Sequence, residues 1–363
     1  MAARIIGPGG RQSRVVIEID GSQGEGGGQI LRTALTLSAC LGKDITIRNI
    51  RANRAVPGLR PQHLAAVHAV ARICGVQLGE IPTGQTELVF KPGPVSPGAF
   101  AREIGTAGSA CLVLQTMALP LALAGESSIL KITGGTHNPR APSFDYLATV
   151  WAPFMRSIGL PIALGLPRHG FYPRGGGVVV AQIEGGANPD QLEPIELTER
   201  GKLVQLTGAV KIASNPIGIG YRMRKSMDHH LSRRKVGGLD MEIQLIEADD
   251  PAAVGLLAAE FEHSRTTVVG VSNKGKSPES VAADVVNDMA DFLDADRSGR
   301  AACDPCAADQ FMLPLALIPG QSRYTTSRIT SHCLTNAAVI EQMTGRTIEI
   351  DGEKDKPGRV TIR

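Results

Sequence analysis

Hydrophobic and polar residues change their spacing in the same order three times along the chain. A strand-like alternation over 15–19 runs into a glycine-rich turn, and a helix-like apolar run from Ile30 to Leu41 follows. Each of three stretches then continues with a strand, a second helix and a closing pair of strands; the second opens at Gly105 and the third at Asp309. One order repeated three times predicts a layered α/β main domain built from three similar units.

The apolar spacing also predicts where the elements of these units lie. We expect helices over 29–41, 62–74, 110–123, 143–158, 309–317 and 332–343. We expect strands over 45–50, 76–78, 87–90, 128–133, 177–183, 323–326 and 359–362, and near Ile162 and Thr347. The main domain is therefore expected to pack helices on four-stranded sheets.

The segment between the second and third units follows a different pattern. It has its own strand-like runs (203–212, 241–246 and 267–271) and two helix-like runs (220–231 and 277–293), and its flanks are polar or rich in Gly and Asp. We predict a smaller inserted α/β domain over 198–295. The main domain is then discontinuous and comprises 1–197 plus 296–363.

The first glycine-rich turn, between Asp20 and Arg32, carries the strongest chemical signal. Glycines let the backbone approach a ligand, and the free amides at the start of the next helix favour an anion. Glu25 lies inside this candidate anion site. Because a carboxylate repels phosphate, Glu25 is interpretable there as a metal ligand or a proton carrier. A plain glycine-rich turn with a solvated Glu fits the spacing as well, since the turn has no Walker A lysine.

The third unit places a histidine at a predicted helix start. Ser331 is a plausible N-cap, which puts His332 in the first helical turn. The positive end of the helix dipole disfavours protonation there, so the imidazole is expected to stay neutral near pH 7. A neutral imidazole can attack phosphorus. An ordinary histidine that caps or packs the helix is the alternative.

Composition excludes several classes of protein. The 363 residues are 42% hydrophobic and 20% charged, which is typical of a soluble globular chain. The net charge of +3 neither demands nor excludes nucleic acid, and 4% aromatic residues argue against a surface that binds RNA mainly by stacking. The longest apolar stretch, 110–125, is too short and too polar to span a bilayer.

The N-terminus and the cysteines bear on location. Residues 1–14 lack the apolar core of a signal peptide, so we expect a frayed arm and a cytoplasmic protein. The six cysteines are scattered, several of them in apolar runs, and are expected to be reduced and mostly buried.

Several longer motifs occur in order along the chain. They are Asp20-Gly-Ser-Gln-Gly-Glu-Gly-Gly-Gly-Gln-Ile-Leu-Arg32, Asn49-Ile-Arg-Ala-Asn-Arg54, Pro57-Gly-Leu59, Gln62-His-Leu64, Gly105-Thr-Ala-Gly-Ser109, Leu114-Gln-Thr116, Gly134-Gly-Thr-His-Asn-Pro139, Arg168-His-Gly-Phe-Tyr-Pro-Arg-Gly-Gly-Gly177, Ala308-Asp-Gln310, and Ser331-His332 with Leu334-Thr-Asn336. With these motifs the chain resembles the RNA 3′-terminal phosphate cyclase family over nearly its whole length.

The resemblance implies an ATP-dependent reaction on an RNA 3′-phosphate end. His332 is implied to attack the α-phosphate of ATP and to form a histidyl-AMP intermediate. AMP then passes to the 3′-phosphate, and the neighbouring 2′-hydroxyl displaces it to leave a 2′,3′-cyclic phosphate. A divalent cation, Mg²⁺ or Mn²⁺, is expected to assist, and Glu25 matches the acidic residue of the family that contacts the metal.

The resemblance also implies roles for other residues, and each role is an expectation here. The residues expected around the nucleotide are Gln115, Pro142, Ala308, Asp309 and Gln310. Those expected to bind phosphates of the RNA end or of ATP are Arg32, Arg51, Arg54 and Gln62. Asp309 is suited either to bond the ribose or to orient the imidazole. Cys306 departs from the pattern, because family members often carry an aromatic residue there, and this puts nucleotide affinity or base choice in question.

Two other functions stay open on the sequence alone. A non-catalytic relative that binds RNA or assists ribosome assembly is one, although such relatives lack the nucleophilic histidine. An enolpyruvyl-transfer enzyme is the other, although its chemistry needs no such histidine. The oligomeric state is not predicted.

Three further sequence patterns are interpreted as structural features without a catalytic role. Cys303 and Cys306 form a lone Cys-x-x-Cys, expected to be two reduced thiols. The pair His229 and His230 is expected to lie on a solvated face. The basic run between Arg222 and Lys235 is expected to be a soluble surface, with guidance of the RNA backbone as the alternative.

Overall fold

Unit one has three strands and two helices. The computed structural model describes residues 15–234, 239–272, 275–294 and 301–363. The elements are β1 (Ile17–Asp20), α1 (Gly28–Leu41), β2 (Ile45–Arg48), α2 (Pro61–Ile73) and β3 (Leu88–Phe90). β2 is central, since β1 pairs with it in parallel and β3 antiparallel. The predicted arm, 1–14, lies outside the described residues.

The strand predicted over 76–78 is wrong, so this sheet has three strands among the described residues rather than four. Gly75 turns the chain with a φ of +64° at the end of α2. Val76 and Leu78 pack partly buried against the core of the main domain instead of pairing with a strand.

Unit two has the full set of four strands. Its elements are β4 (Ala99–Glu103), α3 (Ala110–Ala122), β5 (Ser128–Gly134), α4 (Phe144–Tyr146), a π-helical turn (Leu147–Trp151), α5 (Ala152–Ser157), β6 (Ile162–Arg168) and β7 (Gly177–Ile183). The strand order is β4-β5-β7-β6, with β4 and β5 parallel. The sequence did not indicate β4, which lies at the sheet edge and leaves every second residue exposed.

A separate sheet follows, after a 3₁₀ turn (Pro189–Gln191) and the short strand β8 (Glu196–Leu197). Its elements are β9 (Leu203–Ala213), α6 (Ile217–Arg233), β10 (Glu242–Ile246), β11 (Ala252–Phe261), β12 (Arg265–Ser272) and α7 (Pro278–Asp294). The order is β10-β9-β11-β12, and β11 was not predicted. This sheet and its two helices enclose their own apolar core. Residues 295–300 and Lys235 lie outside the described residues, so the domain bounds 198–295 stay a prediction.

Unit three repeats the plan of unit two. Its elements after β8 are α8 (Pro305–Leu315), β13 (Ser322–Thr326), α9 (Ser331–Thr344), β14 (Ile348–Asp351) and β15 (Gly358–Ile362). The strand order is β14-β15-β13-β8, with β13 and β8 parallel. The predicted three-unit α/β main domain is thereby confirmed, with helices packed on mixed sheets.

The helices of the three units share one core, and α1 is at its centre. α1 packs against α2, α3 and α9, and α8 packs against α9. Leu35 and Leu37 of α1 are fully buried in this core. The packing brings the starts of α1 and α9 together, although these helices lie at opposite ends of the sequence.

A buried polar cluster joins unit two to the inserted sheet. Lys211 of β9 donates to Asp145 Oδ1 at 2.5 Å, and Asp145 Oδ2 lies 2.8 Å from His137 Nε2. The side chains of Lys211 and Asp145 are only 11% and 12% exposed. His137 directly precedes Asn138 in the segment that leads to Pro142, so the cluster anchors this segment.

Candidate active site

The start of α9 is capped by Thr330 rather than by Ser331. The Thr330 hydroxyl accepts a hydrogen bond from Cys333 N at 3.0 Å. Ser331 is instead the first helical residue, so the N-cap prediction was wrong by one position. His332 still lies in the first turn, as predicted, where the helix dipole disfavours a charged imidazole.

The glycine-rich turn lies directly on this helix start. Gly24 has a φ of +53°, and a Cβ there would fall 2.0 Å from Thr335 Oγ1. Only glycine meets both conditions. The next residue, Glu25, donates its backbone N–H to the same Thr335 hydroxyl at 3.4 Å. The turn is thus held against α9 and carries the Glu25 carboxylate to His332.

Both ring nitrogens of His332 have partners. Nε2 lies 3.1 Å from Glu25 Oε2, and Nδ1 forms a short hydrogen bond with Gln29 Oε1. Gln29 in turn donates from Nε2 to Asp309 Oδ2 at 3.4 Å. Because a carboxylate accepts from the amide nitrogen, the amide oxygen faces the ring, and an amide oxygen can only accept. With this amide orientation Nδ1 donates to Gln29, and a neutral ring then has its lone pair on Nε2, beside Glu25.

Burial is the main reason why the pKa of His332 is lowered. The positive charges of Arg32 and Arg54 lower this pKa further, while Glu25 acts in the opposite sense. The side chain is still 45% exposed, so Nε2 is accessible to a substrate. A neutral and accessible imidazole with its lone pair on Nε2 is suited to nucleophilic attack.

Asp309 has an unusual protonation equilibrium. Burial raises its pKa to about 7, and Asp304 and Glu25 add to this, while the Gln29 hydrogen bond and the charge of Arg32 oppose it. Burial also lowers the pKa of Arg32 to about 10. A carboxylate that titrates near neutral pH next to a candidate nucleophile is typical of functional sites.

A cavity of about 720 Å³ opens next to His332 and is lined by both the main domain and the inserted sheet. Gln115 donates to Gln310 Oε1 at 2.6 Å on its wall, and Gln310 donates to Cys306 Sγ at 2.7 Å. Pro142 and Asp309 also line it. The volume suits a mononucleotide-sized ligand.

A model of the family described as RNA 3′-terminal phosphate cyclase matches residues 23–350. A protein of Ralstonia nicotianae with that name is 40% identical over 93% of this chain and 94% of its own. Proteins of the same name from Salmonella agona and Nostoc punctiforme are 37% and 39% identical, each over 94% of this chain, and over 95% and 97% of their own. The chain belongs to the RNA 3′-terminal phosphate cyclase family.

Most residues that the family pattern indicated for the nucleotide converge on the cavity. Gln115, Pro142, Asp309 and Gln310 line it. Ala308 does not, because it is buried and its carbonyl accepts from Tyr324 Oη at 2.6 Å. Ala308 can therefore contribute only by positioning the neighbouring residues of α8.

The four expected phosphate ligands of this family member occupy different positions. Arg32 lines the cavity, and Arg54 Nη2 lies 3.3 Å from Glu25 Oε2. Arg51 donates from Nη1 to the carbonyls of Val56 and Gly58 at 2.8 Å each, so in this arrangement it braces its own loop.

The fourth, Gln62, lies in the first turn of α2 and contacts the start of α3. Its Oε1 accepts from Ser109 N at 3.4 Å. Ser109 is the N-cap of α3 and the last residue of the second glycine-containing motif. Gln62 thus lies beside a second helix start.

Two residues that sequence reasoning did not single out complete the site. Gln29 links His332 to Asp309, and Asn336 donates to the Asp309 carbonyl at 2.7 Å. Asn336 also accepts from Thr33 at 2.6 Å. The available signals were a polar residue in the first turn after the glycine-rich turn, and an asparagine four residues after His332 on the same helix face.

All six cysteines are free, as predicted. Arg222 of the basic run pairs with Glu279, and Arg224 lies over the Tyr221 ring at 5.7 Å, which favours the reading as an ordinary surface. Within the described ranges no helix is long and apolar enough to cross a bilayer, and no three His, Cys, Asp or Glu side chains form a metal cluster.

Proposed function

We propose that this chain converts the 3′-phosphate end of RNA to a 2′,3′-cyclic phosphate through a covalent histidyl-AMP intermediate. An enzyme of the cyclase kind, acting on RNA with ATP, follows from its family. The observation that supports the histidine route is the contact set of His332, with Nδ1 on Gln29, Nε2 beside Glu25, and the nucleotide-sized cavity adjoining it.

In the first step, Nε2 of His332 attacks the α-phosphorus of ATP. The new bond joins nitrogen to phosphorus, and the bond to the bridging oxygen breaks with its electron pair leaving on pyrophosphate. The ring gains positive charge, and Nδ1 stays protonated and continues to donate its hydrogen bond to Gln29. An ionised Asp309 behind Gln29 stabilises that charge, so the pair Gln29 and Asp309 acts mainly in the transition state.

Glu25 is the residue that would hold the divalent cation. A Mg²⁺ or Mn²⁺ ion is commonly bound through one or two carboxylates together with substrate phosphates, so a single carboxylate beside the nucleophile fits this requirement. When bound, the cation would supply positive charge to the polyphosphate. Arg54, which also contacts Glu25, adds a guanidinium to the same place.

In the second step, an oxygen of the RNA 3′-phosphate attacks the α-phosphorus of histidyl-AMP, and the electron pair of the P–N bond returns to Nε2. In the third step, the 2′-hydroxyl attacks the 3′-phosphorus, loses its proton to solvent and expels AMP. Arg32 and Arg54 are proposed to bind the phosphates, and Gln62 is proposed to contact the incoming RNA end at the start of α3.

The adenosine is proposed to occupy the cavity between Gln115, Gln310 and Pro142. Cys306 also lines this cavity, at the position where the family pattern often has an aromatic residue. The thiol offers a smaller contact to the base than a ring does. We infer that this chain binds the nucleotide mainly through its polar groups and phosphates.

The test is incubation with ATP that is labelled at the α-phosphate. We expect an acid-labile, base-stable protein adduct on the wild type and none on His332→Ala. The matched control is His229→Ala, which changes an exposed histidine on α6 and should leave the adduct intact. An equal adduct on His332→Ala would refute the assignment of the nucleophile, and RNA binding with no adduct on the wild type would favour the non-catalytic alternative.

A further inference from the structure

A second cavity lies between units one and two, away from the candidate active site. Its volume is about 270 Å³, and its walls come from α2, β4, β5 and α3. It shares no lining residue with the 720 Å³ cavity. The sequence predicted a strand at Val76 and Leu78, but their apolar side chains form part of the wall of this cavity.

The inner wall of this cavity is apolar. Leu130 and Ile132 of β5 are 0% and 1% exposed, and Met117 of α3 is 2% exposed. Arg72 and Ala101, which also line the cavity, are exposed and so mark its opening to solvent. A ligand that enters there would place an apolar part against β5 and keep its polar end near the opening.

The polar side chains of the lining are all basic in type. They are His68 and Arg72 of α2 and Arg102 of β4, and no carboxylate is found among the described residues that line the cavity. Burial lowers the pKa of His68, and the charge of Arg102 lowers it further. The two arginines therefore provide the permanent charge of this cavity.

These arginines lack counter-charges. Within the part of the chain that the structure describes, neither Arg72 nor Arg102 forms an ion pair, and Nε of Arg102 is buried without a hydrogen-bond partner. Nε of Arg102 has almost no accessible surface, so a ligand in the cavity would meet the terminal guanidinium nitrogens of this residue. An arginine without an ion-pair partner favours a bidentate carboxylate. The positive charge beside an apolar wall is complementary to an anion with an apolar tail.

We propose that this cavity binds a small carboxylate that carries a short apolar chain. The carboxylate accepts hydrogen bonds from Arg102 and Arg72 at the opening, and the chain lies against Leu130, Ile132 and Met117. The proposal is independent of the histidyl-AMP mechanism, because it concerns other residues and a different part of the fold.

The experiment uses octanoate as the probe, titrated calorimetrically into the intact protein. Octanol and octylamine serve as ligands with the same chain but without a negative charge. We expect octanoate to bind at one site, and Arg102→Gln to weaken it by about tenfold or more, since a hydrogen bond to a charged group is lost. Arg72→Gln should weaken it less, because Arg72 is exposed, and Arg156→Gln, an exposed arginine of α5 outside the cavity, should not weaken it.

A second measurement tests whether octanoate binds in this cavity and not elsewhere on the protein. A bound carboxylate should raise the pKa of His68, which histidine ring resonances report in an NMR titration with and without octanoate. Unfolding curves confirm that each variant is folded. The proposal is overturned if octanoate fails to bind, if octanol binds as well as octanoate, or if folded Arg102→Gln binds octanoate like the wild type.

Discussion

Gln29 offers the sharpest test of the candidate site, because it is the link between His332 and Asp309. The substitution Gln29→Met keeps the length of the side chain and removes both hydrogen bonds. The bond to His332 becomes charge-assisted as the ring gains positive charge, and such bonds contribute about 1.5–3 kcal/mol. The bond to Asp309 is long, at 3.4 Å, and should add only a few tenths of a kcal/mol.

The bond to His332 already exists in the uncharged ring, where it contributes about 0.5–1.5 kcal/mol, so only the gain of about 1–1.5 kcal/mol acts on the transition state of the first step. This gain predicts adenylylation that is roughly 5- to 13-fold slower. The assay is the single-turnover rate of adduct formation from labelled ATP. The third step does not involve the histidine, so cyclisation of RNA that already carries a 3′-adenylate should proceed at the wild-type rate.

The matched control is Gln182→Met, which changes an exposed glutamine on β7 and should leave every step unaltered. A Gln29→Met rate within about threefold of the wild type, or less than about 0.7 kcal/mol, would refute the proposed role of this amide. Equal slowing of adenylylation and of adenylate cyclisation would point to a general disturbance of the fold instead.

Three further predictions concern single side chains. Because the pKa of Asp309 is raised to about 7 in the folded protein, its ionisation lowers the unfolding free energy of the wild type as pH rises from about 4 to 7. Asparagine does not ionise, so the stability of Asp309→Asn relative to the wild type should be higher at pH 8 than at pH 5 by about 2 kcal/mol or more. Urea unfolding of both proteins at both pH values checks this, and an equal difference at the two pH values would contradict it. Thr330→Ala should lose about 1 kcal/mol of unfolding free energy through the lost N-cap while Ser331→Ala loses a few tenths at most, and the reverse ranking in urea would contradict the capping assignment. Cys306→Tyr should tighten AMP binding by about 2- to 12-fold through stacking on adenine, measured by equilibrium dialysis, and unchanged or weaker binding would argue against adenine lying at this position.

The amphipathic and apolar runs were reliable guides to most elements. β7 was predicted over its observed range, and α1 and α9 began within one residue of the predicted starts. β4 was missed because Ala99–Glu103 is a mostly exposed edge strand with only one large apolar residue. β11 was missed because Ala252–Phe261 is rich in alanine and largely buried, so no apolar and polar residues alternate along it. The strand predicted over 76–78 failed because pairing depends on a neighbouring strand, which local sequence does not report.

In the candidate site, too, some features depend on local sequence and others depend on contacts between distant parts of the chain. The sequence by itself determined the glycine-rich turn, the first-turn position of His332 and the family pattern, because these depend on residues close together in the chain. Only the tertiary structure decided which side chains contact the two ring nitrogens of His332, since Gln29 lies 303 residues away and reaches the ring through the packing of α1 on α9. Partners of this kind are set by how the three units share one core, and no local pattern encodes that packing.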